Sequence, residues 1–106
     1  MLFRSAVPCG LIINELVTNS LKYAFPEGRQ GEIRVEFKKG PGDRIIMTVE
    51  DDGVGFPAGV SLLNTRTLGL RLVRSLAQQL GGHAELKSRS GTQVKIQFSL
   101  SDAEGR

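Results

Sequence analysis

Glu15, Asn19 and Lys22 lie at i, i+4 and i+7 within Asn14-Glu15-Leu16-Val17-Thr18-Asn19-Ser20-Leu21-Lys22-Tyr23-Ala24-Phe25. On a helix each residue turns by roughly 100°, so these three side chains leave one face together. An acid there can orient or deprotonate an attacking group. An amide oxygen can hold Mg²⁺, which prefers oxygen ligands and keeps several waters. A cation can meet phosphate oxygens. The same spacing also occurs on ordinary solvated helices, so the rest of the chain must decide.

Asp51 is the second signal. It continues the parity of Ile45, Met47 and Val49 in an alternating stretch, so its carboxylate points with the apolar row. A charge on that side is costly without a partner. One reading is an Asx turn; the other is a carboxylate at a pocket floor, open to an N–H donor from a ligand. Gly53 and Gly55 follow, and glycine lets backbone pass close to a ligand or adopt φ > 0. Thr92 has the parity of Val94, Ile96 and Phe98 and shares a cavity with Asp51 if their strands are neighbours. Thr67-Leu68-Gly69-Leu70 opens an apolar-periodic stretch, and free N–H groups at a helix start attract phosphate. It is neither a P-loop nor a dinucleotide fingerprint.

The elements that position these residues are legible from periodicity. A first amphipathic helix is expected from about Ala6 to Ala24, with Pro8 in its first turn and Phe25-Pro26-Glu27-Gly28 ending it. Its apolar half holds Ile12, Ile13, Leu16, Val17, Ser20, Leu21 and Ala24, and residues 1–5 are too short for an element of their own. Glu32 to Lys38 alternates, with Ile33, Val35 and Phe37 on one side, as a half-buried strand does. Gly40-Pro41-Gly42-Asp43 joins it to a strand from Arg44 to Asp51. Residues 57–67 read as an irregular lid. A second helix runs from Leu68 to Leu80, its stripe made of Leu68, Leu72, Val73, Leu76, Ala77 and Leu80, and Gly81-Gly82 stops it. His83–Ser88 and Thr92–Leu100 are the last two strands, joined by Arg89-Ser90-Gly91, and 101–106 is a polar tail expected to fray.

The order α-β-β-α-β-β, with tight turns within each strand pair, predicts an α/β two-layer sandwich: helices cover one sheet face and water meets the other.

Bulk composition excludes several functions. The 106 residues make one domain, with a net charge of +3 and fourteen scattered cations that outline no nucleic-acid surface. One cysteine, Cys9, precludes an internal disulfide and suits a reducing, cytoplasmic setting. No apolar run is long enough to span a membrane, and Met1-Leu2-Phe3-Arg4 does not open a signal peptide.

Taken together, the four stretches resemble, in order and spacing, the GHKL ATPase superfamily with its Bergerat ATP-binding fold. Within it the chain is most similar to the catalytic ATP-binding domain of bacterial sensor histidine kinases. Asn14 to Tyr23 resembles the N box, Asp51-Asp52-Gly53-Val54-Gly55-Phe56 the first glycine box, Leu68-Gly69-Leu70 the second, and Gly91-Thr92 the closing Gly-Thr motif. The resemblance covers about residues 6–100. It implies a mostly antiparallel, mixed sheet and ATP and Mg²⁺ as ligands. It implies that Asp51 takes the adenine amino group, Asn19 holds Mg²⁺, Lys22 and Tyr23 approach the phosphates, and Glu15 is the catalytic base or water organiser. Gly53, Gly55, Arg66, Leu68, Gly69, Leu70 and Thr92 complete the expected nucleotide site.

The chain departs from the family in three ways. Thr67 stands where the second box often has a glycine, and the lid is short, which resembles the subgroup with compact lids. The family's strand before the N-box helix has only Leu2-Phe3-Arg4 to supply it, so the chain reads as a fragment of a longer kinase with an apparently truncated first strand. His83, the one histidine, opens a strand and is not expected to be the phosphoacceptor. The implied partners are an upstream histidine-bearing dimerisation domain and a response regulator. Two rivals share the fold: a serine kinase of the anti-sigma-factor type, and a degenerate nucleotide-binding interaction module. Intact Glu15, Asn19 and Asp51 argue against the second.

Overall fold

The structure is a computed structural model that describes residues 3–55 and 68–105. The segment 56–67, with Arg66, Thr67 and the expected lid, lies outside the described residues. α1 spans Phe3–Asn19 and continues as a π-helical segment, Ser20–Ala24, before a short 3-10 turn at Pro26–Gly28. β1 is Ile33–Lys39, β2 Arg44–Asp51, α2 Leu68–Gln79, β3 His83–Arg89, β4 Gly91–Ser99 and α3 Leu100–Ala103.

The strands form one four-stranded sheet in the order β1-β2-β4-β3, and all three pairings are antiparallel. The mixed character expected of the sheet is therefore absent among the described residues. Phe3 and Arg4 are helical, not a first strand, and no strand precedes α1 among the described residues. α1 also starts earlier than its sequence pattern predicts, with Pro8 inside it.

Strand parity sets the core. Met47 faces Ile96, Val49 faces Val94 and Ile45 faces Phe98 across β2 and β4, so all six side chains share one sheet face. α1 lays Cys9, Ile12 and Leu16 on that face, and α2 lays Leu70, Val73, Leu76, Ala77 and Leu80. Phe98, Ile12, Met47 and Ile96 are fully buried. Truncating a buried Phe of this kind costs about 3–5 kcal/mol, from lost transfer energy plus the cavity left behind. Burial also pushes the Cys9 thiol above its ordinary pKa, as expected of a cysteine that packs.

Three expectations about the apolar rows need correction. Val35 and Phe37 remain 42% and 48% exposed, because β1 is an outer strand and the helices lie over the other three. Leu21, placed on the apolar half of α1, is 67% exposed. Beyond Asn19 the helix widens to π turns, so a wheel drawn at 100° per residue no longer holds. In α2, Leu72 turns outward while Leu70 is buried.

The segment after β4 is ordered. Leu100–Ala103 is helical and Ala103 is buried, where a frayed tail was expected. Two carboxylates hold it. Asp43, in the β1–β2 turn, accepts the Ser101 N–H at 2.9 Å and the Ser99 hydroxyl at 3.0 Å. Glu104 accepts the N–H groups of Arg4 at 3.2 Å and Ser5 at 2.8 Å, and the Ser5 hydroxyl as well. First-turn N–H groups have no partner inside a helix, so a carboxylate there satisfies donors and opposes the helix dipole.

Candidate functional site

The end of α1, the end of β2, the start of α2 and the start of β4 enclose a cavity of about 300 Å³. Its floor is the β2–β4 ladder, where Asp51 pairs directly with Thr92 and Val49 with Val94. Leu16, Asn19, Ser20, Tyr23 and Ala24 form one wall, with Leu70 and Gly55 opposite. Apolar surface with a few convergent polar groups is the usual make-up of a small-molecule site.

Asp51 faces the helices, as its parity requires, and both of its oxygens are engaged. The Gly53 N–H donates to Oδ1 at 2.9 Å, and the Ser20 hydroxyl donates to Oδ2 at 2.7 Å. The turn-capping and pocket-floor readings of Asp51 therefore hold together. A carboxylate has about four acceptor positions, so room remains for an N–H donor from a ligand.

The glycine loop divides its labour. A side chain on Gly53 would run into the Ala24 carbonyl, and the Val54 N–H donates to that same oxygen at 3.0 Å. Gly53 thus lets the loop dock closely on the end of α1. Gly55 lines the cavity with φ at 75°. Gly91, with φ at 133°, lies against the Asp51 backbone, so the close crossing of β2 and β4 needs a residue without a side chain. Asp52 ties the loop down from outside by accepting the Glu32 N–H at 2.8 Å.

Glu15 and Asn19 converge on the start of α2. A methyl group built on Gly69 would lie 2.9 Å from Glu15 Oε2, 3.3 Å from Asn19 Nδ2 and 3.5 Å from Asn19 Oδ1. The expected acid and amide are therefore brought together with the second glycine. The Asn19 side-chain nitrogen is buried and has no hydrogen-bond partner. Leaving such a donor unmet costs about 1–3 kcal/mol, which a ligand oxygen or its water shell would relieve. Turning the carboxamide over presents its oxygen instead. The donor set thus fits either a phosphate oxygen or a hydrated Mg²⁺ ion.

Lys22 and Tyr23 separate from these two. Both are exposed; Tyr23 lines the cavity mouth and Lys22 does not line the cavity. Thr92 and Leu70 line it as expected, the backbone of Leu68 begins α2, and Arg66 lies outside the described residues. His83 is an exposed residue at the start of β3. Sequence reasoning missed Ser20, which it placed on the apolar half of the helix. The usable signal was its direct adjacency to Asn19 together with a hydroxyl on a face meant for the core.

Comparison with known proteins agrees with this geometry. Residues 5–102 match the family described as Histidine kinase-, DNA gyrase B-, and HSP90-like ATPase. The chain is 37% identical over 93 residues to Blue-light-activated histidine kinase 2 of Erythrobacter litoralis, covering 87% of this chain and 27% of that protein. It is 32% identical over 94 residues to the sensor histidine kinase PdtaS of Mycobacterium tuberculosis, covering 85% of this chain and 19% of that one. The chain thus spans about a quarter or less of these relatives. The solved histidine kinase domain of the Erythrobacter litoralis EL346 blue-light activated histidine kinase superposes with a TM-score of 0.86 at 34% identity, over 95% of this chain and 47% of that one. The four-stranded antiparallel sheet, the helices on one face of it and a match over nearly the whole chain place this protein in the histidine kinase-, DNA gyrase B- and HSP90-like ATPase family of ATP-binding domains.

Proposed function

We propose that this chain is the ATP-binding catalytic domain of a sensor histidine kinase and works in the cytoplasm as one part of a longer protein. Among the described residues no helix is long and apolar enough to cross a membrane. The observation that carries the reading is the buried Asn19 amide without a partner, on the wall of a cavity whose floor holds Asp51.

In this reading the adenine 6-amino group donates to Asp51 and the base lies over Val49, Val94 and Leu70. The phosphates run toward Asn19 and the N-terminal N–H groups of α2, with Lys22 and Tyr23 at the open side. Gly69 lets the anion approach. Asn19 would hold Mg²⁺, which offsets phosphate charge when bound. Glu15 holds or accepts the proton of the attacking imidazole. That imidazole belongs to a histidine outside these 106 residues. Its nitrogen forms a bond to the γ-phosphorus as the bond to the β–γ bridging oxygen breaks, and ADP leaves. The phosphoryl group then passes to a response regulator.

The test is a thermal melt with and without Mg-ATP. A ligand that binds only the folded state adds about 2.7 kcal/mol at 100 times its Kd. A clear upward shift is expected, reduced by a chelator and by Asn19→Ala, whose own empty-state melting point should stay close to wild type. Incubated alone with labelled ATP the chain stays unlabelled; with the histidine-bearing helices of its parent added, those helices take the label. No shift at millimolar nucleotide, or label on His83, overturns the reading.

A further inference from the structure

Ser20 has the environment of a working residue. It is 8% exposed, lines the cavity and sends its hydroxyl to Asp51 Oδ2 at 2.7 Å. It is the first residue of the π-helical segment, directly after Asn19. π turns inside helices are frequent at functional sites. Here the turn seats two neighbouring residues at one cavity: Asn19 beside Gly69, and Ser20 against the carboxylate on the floor.

The geometry points to Ser20 as a positioning residue that sets adenine selectivity through Asp51, an inference that rests on the nucleotide reading above. A carboxylate held at one oxygen alone can turn about its Cβ–Cγ bond. Asp51 is held at both, by the Gly53 N–H on Oδ1 and by Ser20 on Oδ2. That fixes the plane of the group and the direction of its unused lone pairs. A fixed acceptor lowers the ordering cost when an amino group donates to it. A ligand without that amino group gains nothing from the arrangement. Ser20 therefore acts on the difference between bases, not on nucleotide binding in general.

The test is a set of titrations of wild type, Ser20→Ala and Ser20→Thr. The ligands are ATP, GTP and purine riboside triphosphate, which lacks the 6-amino group. Ser20→Ala is expected to lose about tenfold in ATP affinity, about 1.4 kcal/mol, while its affinity for purine riboside triphosphate stays at the wild-type value. Ser20→Thr keeps the hydroxyl, has an open cavity for its methyl group, and restores the ATP preference. Melting curves of the empty variants, near wild type, show that the scaffold is intact. Equal losses for ATP and purine riboside triphosphate make Ser20 a packing residue and overturn the inference. So does an unchanged ATP preference in Ser20→Ala, with the nucleotide reading left standing. A wild type that binds no ATP, or does not discriminate among the three ligands, removes the nucleotide reading and this role with it.

Discussion

Asp51 and Thr92 are direct cross-strand partners at the end of the β2–β4 ladder, on the sheet face that the helices cover. One side chain accepts only and the other both donates and accepts. A purine edge that presents a donor beside an acceptor matches such a pair. Adenine does so; guanine puts an oxygen where the amino group would be and meets the carboxylate with like polarity.

Asp51→Ala should therefore lose roughly ten- to a hundredfold in ATP affinity, the equivalent of a hydrogen bond to a charged group at about 1.5–3 kcal/mol. Asp51→Asn should lose less, since an amide oxygen still accepts. Calorimetric titration with ATP and GTP checks this. Equal binding of the two by wild type would sink the assignment.

Gly69→Ala separates stability from function. Alanine is the better helix former, and the atoms nearest the added methyl are the side-chain ends of Glu15 and Asn19. The variant should melt at or slightly above wild type while Mg-ATP affinity falls roughly tenfold, about 1.4 kcal/mol. A lower melting point with unchanged affinity would place Gly69 in packing alone.

Gly91→Ala should do the reverse. Its φ of 133° and its contact with the Asp51 backbone leave no space for a side chain. The cost should be about 1–3 kcal/mol, read as a lower denaturation midpoint, with weaker ATP binding because Asp51 shifts with its strand. An unchanged midpoint would contradict the strand crossing described here.

Acid should loosen the α1–α3 corner. Burial raises the pKa of Glu104, but the Ser5 hydroxyl and N–H, the Arg4 N–H and the Arg4 charge more than reverse that and hold it below its ordinary 4.5. The Ser101 hydroxyl and N–H, and then Ser99, hold Asp43 below its ordinary 3.8. A lowered folded-state pKa means stability that is complete above the unfolded value and is lost as pH falls through the folded one. Denaturation midpoints of wild type and Glu104→Gln should differ at neutral pH and converge as the pH falls from the ordinary 4.5 through the lowered folded-state pKa. A gap that stays constant down to pH 2 would show that the Glu104 charge has no part in it.

Much of this architecture is legible in one sequence because strand parity is a local rule. Ile45, Met47, Val49 and Asp51 share a face whatever lies around them, and so do Thr92, Val94, Ile96 and Phe98. That alone brings Asp51 and Thr92 to one cavity floor once β2 and β4 are neighbours. What stayed hidden depends on tertiary context. Val35 and Phe37 alternate as well as any core row, yet their burial depends on what lies over β1. Leu21 was misassigned because the change of helical period at Ser20 has no composition signal, whereas Ser20 does face inward and only its bond to Asp51 went unread. Glycine reports close approach without saying to what, so the packing of Gly53 on Ala24 was not legible either. The polar residues from Ser101 to Glu104 read as a tail because their partners, Asp43, Arg4 and Ser5, are remote in sequence.

That last contact brings residue 4 and residue 104 together, at the end of α1 remote from the cavity. Seventeen helical residues at 1.5 Å each put about 25 Å between that corner and Asn19. Whatever is joined before α1 or after α3 leaves from one shared corner, away from the cavity. The same closeness makes the chain a natural subject for circular permutation, because a short linker between its two ends would bridge a gap the fold has already closed.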